Sequence, residues 1–162
     1  MAKELSERLR RAIAETFPKL CTLGDQEAGT RADGSSGWSH KQELGHLLDS
    51  AVNNRVRFVV ATLEGKYAGP TYDGEAWVEV GSYGEASWDD LVNAWRLNND
   101  LLARAVERIP AERLQAECRI GDGRPVTLEF IIDDYIAHMQ HHLDHIFGKE
   151  ELTAYPGAAA GI

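Results

Sequence analysis

At 162 residues the chain suits one domain, long enough to bury a single core and too short for two ordinary ones. A formal net charge of −9 and a pI near 5.1 exclude nucleic acid or an anionic membrane as its main partner, since both need a basic face. No run of about eighteen apolar residues occurs, the charged opening Met1-Ala2-Lys3-Glu4-Leu5-Ser6-Glu7-Arg8 has no signal-peptide core, and Cys21 and Cys118 form no paired pattern, so a cytoplasmic protein with two reduced, structural thiols is expected.

Four helical segments are predicted. The first covers residues 3–17, with Leu5, Leu9, Ala12 and Ile13 on one face and Pro18 marking its weakening or end. Residues 24–37 read as a loop, rich in Gly, Asp, Ser and Thr. Ser39-His40-Lys41-Gln42 forms a capping box, with Trp38 as a staple, and opens a second helix that runs to Glu64 and stops at Gly65. Leu44, Leu47, Leu48, Ala51, Val52, Val56, Phe58, Val59, Val60 and Leu63 cover well over half of its circumference, so it is expected to bury two faces, one of them against a second chain.

Residues 66–86 hold glycines, Pro70 and the aromatics Tyr67, Tyr72, Trp77 and Tyr83, the composition of a long packed loop. Ser87-Trp88-Asp89-Asp90 caps the third helix, which Pro110 ends. Residues 115–126 suit a turn or small hairpin around Gly121-Asp122-Gly123. Thr127 caps the fourth helix, which continues to Phe147 and halts at Gly148. The expected architecture is an all-α four-helix bundle over residues 1–150, with a long aromatic loop between helices two and three and a loose tail over 151–162.

Four of the six histidines crowd into the fourth helix: His138, His141, His142 and His145. Residues four apart share a helical face, so His138 with His142, or His141 with His145, could converge on one metal ion. At about 100° per residue with Tyr135 at zero, Leu128, Ile132, Met139, Leu143 and Ile146 fall between roughly +20° and +80°, a core stripe. His142 near −20° and His138 near −60° stand on its shoulder, His141 near −120° faces water, and His145 near −80° is undecided. Asp144 is expected at the solvent side. A tetrahedral ion needs a third ligand from another helix, and only His40 and His46 remain. With Leu48 at zero, His46 falls near 160° among polar residues, so periodicity does not turn it inward. A ferritin-like di-iron site is excluded: Glu43-Leu44-Gly45-His46 fits Glu-x-x-His, but the histidine run offers no second copy of that motif. Serine-hydrolase, His-Glu-x-x-His and phosphate-loop signatures are absent as well.

His46-Leu47-Leu48-Asp49-Ser50, then Asn53-Asn54-Arg55-Val56-Arg57-Phe58, then His138-Met139-Gln140-His141-His142-Leu143-Asp144-His145-Ile146 together resemble the DinB-like superfamily, most closely its YfiT-type members. The resemblance spans roughly residues 38–147. It implies a four-helix bundle, commonly a homodimer, in which His46, His138 and His142 bind a divalent metal such as zinc or nickel. It also implies a split in activity. Some relatives are thiol S-transferases that pass a low-molecular-weight thiol to electrophiles, and many are described only as metal-dependent hydrolases. Three neutral imidazoles leave metal positions open, which suits catalysis, and metal-dependent thiol transfer is the preferred expectation. No organic cofactor is expected. Asp49, one turn from His46, is the candidate catalytic carboxylate, to orient a ligand or accept a proton. The competing expectation is a non-catalytic, metal-stabilised dimeric stress-response or binding protein.

Overall fold

The computed structural model of the protein describes residues 1–31 and 37–160. Helix α1 (Ala2–Leu20) is followed by the short α2 (Asp25–Ala28), which occupies part of the expected loop; residues 32–36 of that loop and the last two of the tail lie outside the described residues. Pro18 does not end α1. It sits two residues before the helix end, where its missing N–H leaves the Ala14 carbonyl without its helical donor, and the Cys21 amide still reaches the Phe17 carbonyl at 3.1 Å.

Helix α3 (His40–Glu64) has the boundaries its caps dictate. The Ser39 hydroxyl accepts from the Gln42 amide at 3.3 Å and the Gln42 side chain accepts from the Ser39 amide at 2.9 Å. Gly65 then takes φ +74°, a left-handed stop that a side chain would resist. The segment read as a plain loop is more regular. It contains strand β1 (Lys66–Gly69), helix α4 (Gly74–Gly81), capped by Asp73, and a single turn at Tyr83–Glu85. Helix α5 (Trp88–Glu107) starts from Ser87 as expected, and a short turn, Ala111–Gln115, leads to strand β2 (Glu117–Ile120) and strand β3 (Val126–Thr127). Strands β2 and β3 are the expected hairpin, and β1 pairs parallel to β2 with Tyr67 opposite Cys118. Four residues of β1 carry too little alternation to be read as a strand alone; the partner 51 residues away creates it. Helix α6 (Leu128–Ile146) starts from Thr127, and Gly148 follows its end at φ +60°. A final short helix α7 (Gly157–Ala160) closes the described chain.

The four long helices close into a ring. Helix α1 packs on α5, α5 on α3, α3 on α6 and α6 back on α1, so the successive long helices α1 and α3 face each other across the bundle. Between them lie Leu9, Leu44, Leu47, Phe58, Trp95, Leu102, Leu128 and Tyr135, all essentially solvent-free. The Tyr135 hydroxyl donates to Asn99 at 2.6 Å and the Trp88 indole donates to the Leu20 carbonyl at 2.9 Å, so these large aromatics bury their polar ends without penalty. Cys21 is exposed and Cys118 buried, both free, and burial pushes the Cys118 thiol up to about 11. No helix of the described residues is long and apolar enough to cross a membrane.

Helix α3 carries three kinds of face. Leu44, Leu47, Ala51 and Phe58 enter the core, His46, Asn54 and Arg57 form a buried polar stripe, and Val52, Val56, Val59 and Leu63, at i, i+4, i+7 and i+11, remain exposed, Leu63 to 69%.

Candidate metal centre

The polar stripe of α3 faces the histidine run of α6. His46 and His142 are each only 8% exposed and His138 is half-buried between them. The His138 Nε2 stands 3.2 Å from His46 Nε2 and 3.1 Å from His142 Nε2. Three Nε2 atoms therefore point at one small volume. Metal–nitrogen bonds of about 2.0–2.1 Å at tetrahedral angles separate ligating nitrogens by roughly 3.3 Å, so the spacing is the one a divalent ion needs.

Protonation agrees with that geometry. Burial holds the His46 imidazole down to about 4, aided by His142 and opposed by Glu43. Burial also lowers His138 well below the ordinary histidine value, with His142 and His46 adding to the effect. Neutral imidazole is the ligating form. In the neutral, ligating form of His142 the Nδ1–H donates to Glu43 Oε2 at 2.7 Å, and the lone pair is then on Nε2. The second oxygen of Glu43 accepts from His145 Nδ1 at 3.1 Å. A fully buried carboxylate thus orients two imidazoles at once, the arrangement that stiffens metal-ligating histidines. Among the described residues the buried His46 Nδ1 has no hydrogen-bond partner.

His141 is half-buried rather than solvated, its Nδ1 donating to the Thr153 carbonyl at 2.8 Å. His145 is buried against Glu43. Asp144, expected at the solvent side, is 1% exposed. Burial alone would raise its carboxyl, but Lys149, Thr153 and Gln140 outweigh burial and hold it low. Those bonds explain the tail. Thr153 donates to Asp144 through its amide at 2.9 Å and its hydroxyl at 2.6 Å, and the Gly157 amide donates to Asp134. The segment expected to be loose is thereby drawn along α6, and it sets the Tyr155 ring edge-on to His138 with centroids 5.0 Å apart. Trp38, expected as a helix staple, lies over the imidazoles, 5.2 Å from His46 and 6.3 Å from His142 between centroids.

A cavity of about 170 Å³ opens beside His46 and His138, walled by Tyr72, Tyr155, Ser50 and Arg57 among others. Asp49 is not among its lining residues. Its Oδ1 accepts from the Tyr83 hydroxyl at 2.5 Å, and burial raises its carboxyl, a shift this bond opposes. Sequence reading passed over Glu43, weighed only as half of a di-iron motif; the signal was its position three residues before His46, which puts both on one helical face. The misleading angle for His46 came from its reference. Leu48 is only half-buried, and α3 buries a polar face besides its apolar one.

The family model of the DinB superfamily matches residues 8–146. The protein named "Putative metal-dependent hydrolase YfiT" of Bacillus subtilis (strain 168) is 28% identical over 153 residues, covering 90% of this chain and 84% of its own length. The solved structure of the Bacillus subtilis YfiT, described as "a probable metal-dependent hydrolase with an unusual four-helix bundle topology", superposes with a TM-score of 0.70 at 22% identity over 90% of this chain and 79% of that one. A mycothiol-dependent maleylpyruvate isomerase superposes with a TM-score of 0.73 at 16% identity; 90% of this chain is covered but only 60% of the isomerase.

Proposed function

This chain belongs to the DinB superfamily, and on that premise we propose that it is a metal-dependent enzyme whose divalent ion, zinc or nickel, is held by His46, His138 and His142 and whose reaction passes a low-molecular-weight thiol to an electrophile. Metal-dependent hydrolysis is the related chemistry of the same site. The observation that carries the reading is the convergence of three Nε2 atoms at 3.1 and 3.2 Å beside a cavity that opens onto two of them. Such an ion, when bound, lowers the pKa of a thiol or a water toward or below neutrality.

The chain's own part is to keep the ligands neutral, oriented and dry. Burial suppresses protonation of His46 and His138, Glu43 fixes the tautomer of His142, and the rings of Trp38 and Tyr155 cover the imidazoles. Asp49 serves as a positioning residue: held by Tyr83, it pins the segment after α4 onto α3 one turn from His46. The mycothiol dependence named for the isomerase supports thiol chemistry, and the name of YfiT supports hydrolysis. We also assign the exposed stripe Val52, Val56, Val59 and Leu63 to contact with a second copy, and the protein to the cytoplasm.

The test is conjugation of cysteine to 1-chloro-2,4-dinitrobenzene, in which a thioether forms and chloride leaves. The expected result is a rate above the spontaneous one that disappears on chelation and in His138→Ala. Metal uptake without metal-dependent conjugation or ester hydrolysis would favour a non-catalytic, metal-stabilised dimeric binding protein.

A further inference from the structure

The polar stripe of α3 does not stop at the imidazoles. His46, Ser50, Asn54 and Arg57 follow one another at intervals of four, four and three, a single helical face, and all four line the same cavity. At about 1.5 Å per residue the Cα atoms of His46 and Arg57 are about 16 Å apart, and the long arginine side chain leans back toward the helix N-terminus and hence toward His46. Arg57 is 8% exposed, a buried guanidinium. Its one hydrogen bond among the described residues is a long contact of 3.4 Å from Nη1 to Asn54 Oδ1, and it enters no ion pair among them.

A buried charge without a counter-ion is costly, and an arginine carries five donors in a planar fork. The charge of Arg57 is felt by the Asp134 carboxyl across the cavity wall, but no carboxylate of the described residues stands within ion-pair distance of the guanidinium. Asn54 is itself committed elsewhere, donating to Ser50 at 3.0 Å and 3.3 Å. The remaining carboxylate of the wall, Asp134, is engaged by the Gly157 amide and forms no ion pair with Arg57 within 4 Å. The fork therefore faces the cavity with donors to spare.

We propose that Arg57 is the anchor for a carboxylate group on the substrate, whose other end reaches the His46–His138–His142 centre. The proposal rests on the metal-site reading for where the reacting end lies, but the anchor itself does not require a metal. One buried cation matches one negative charge, and Asp134 in the same wall opposes a dianion, so the geometry favours a carboxylate over a phosphate. A cavity of about 170 Å³ takes a small molecule or the acidic end of a larger one.

The test compares binding of 3-mercaptopropionate and 3-mercaptopropionamide, matched in size and thiol, to the zinc-loaded protein by calorimetry. The expected result is at least tenfold tighter binding of the carboxylate, with the preference lost in Arg57→Gln and reduced several-fold in Arg57→Lys, which keeps the charge but not the fork. Equal affinities in the unmodified protein, or a preference that survives in folded R57Q because the carboxylate sits on the metal, would overturn it. The comparison in the unmodified protein and in R57K decides the matter even if R57Q fails to fold. Propionate against propionamide, followed by NMR on metal-free protein, separates this proposal from the metal assignment. A preference there that depends on Arg57, in a protein that takes up no metal, leaves the anchor standing and removes the metal centre. Metal uptake with no carboxylate preference does the reverse. Inorganic phosphate displacing propionate at lower concentration would overturn the carboxylate assignment.

Discussion

Replacing Glu43 by glutamine tests how the histidine cluster is oriented. The carboxylate accepts from His142 Nδ1 at 2.7 Å and from His145 Nδ1 at 3.1 Å and is fully buried. A glutamine of the same shape keeps one acceptor oxygen but turns two N–H donors toward the other imidazole, which must then flip, change tautomer or leave a buried donor unpaired. A hydrogen bond to a charged group contributes about 1.5–3 kcal/mol, and a neutral replacement retains roughly half of that on one side and none on the other. With the amide NH2 turned toward His142 that bond is lost outright, about 2 kcal/mol, which at 1.4 kcal/mol per decade is roughly a 30-fold weaker metal affinity. The assay is competition against a chromophoric chelator at pH 7.5 for the unmodified protein, E43Q and Glu43→Asp, alongside thermal unfolding of each metal-free form. The reasoning is refuted if folded E43Q binds zinc as tightly as the unmodified protein.

Acid should destabilise the metal-free fold through the buried imidazoles. The folded pKa of His46 is lowered from 6.5 to about 4, so its contribution is complete above pH 6.5 and is lost as pH falls toward 4. At pH 5 the loss is about 2 kcal/mol, a fall in Tm of about 4–8 °C, and His46→Gln should flatten the profile; parallel profiles for the two proteins would contradict this. Gly45→Ala should lower stability despite alanine's better helix propensity, because its Cβ would meet the Tyr83 ring at 2.1 Å and force out the residue that bonds Asp49. The expected net cost is about 1–3 kcal/mol by thermal unfolding, and an unchanged or raised Tm would show that Tyr83 yields freely. Asp144→Ala should release the segment that carries Tyr155, with faster amide exchange at Thr153 and Gly157 as the readout and unchanged protection as the contrary result. Val56→Glu should yield monomers by light scattering if the exposed stripe of α3 is an interface, and an unaltered mass would place the interface elsewhere.

The long helices were legible because their ends are written in local chemistry. The Ser39–Gln42 box, Gly65, Ser87, Thr127 and Gly148 act within a few residues of themselves, and each cap lies where the pattern puts it. Strand β1 and helix α4 were not legible as such, since β1 exists through pairing with the distant β2 and α4 is a short, mostly exposed helix with little periodicity to read. The apolar stripe of α6 singled out His138 and His142, because those residues border the core on a helix with one dominant apolar face. The same reasoning failed for His46 and passed over Glu43 and Arg57. Helix α3 has a second buried face that is polar, and a hydrophobic pattern cannot distinguish such a face from one in water. Asp144 and the tail misled for a related reason: an acidic residue reads as solvent-facing until the Thr153 and Lys149 partners that bury it are brought alongside.

The most direct measurement is the metal content of protein purified without a histidine tag, by elemental analysis, for the unmodified chain and for His46→Ala, His138→Ala and His142→Ala. The expected result is one zinc or nickel per chain in the unmodified protein and a small fraction of that in each variant, with folding verified by circular dichroism. A chain that purifies and remains metal-free after incubation with either ion, or a His138→Ala variant that keeps its full complement, would contradict the three-histidine centre.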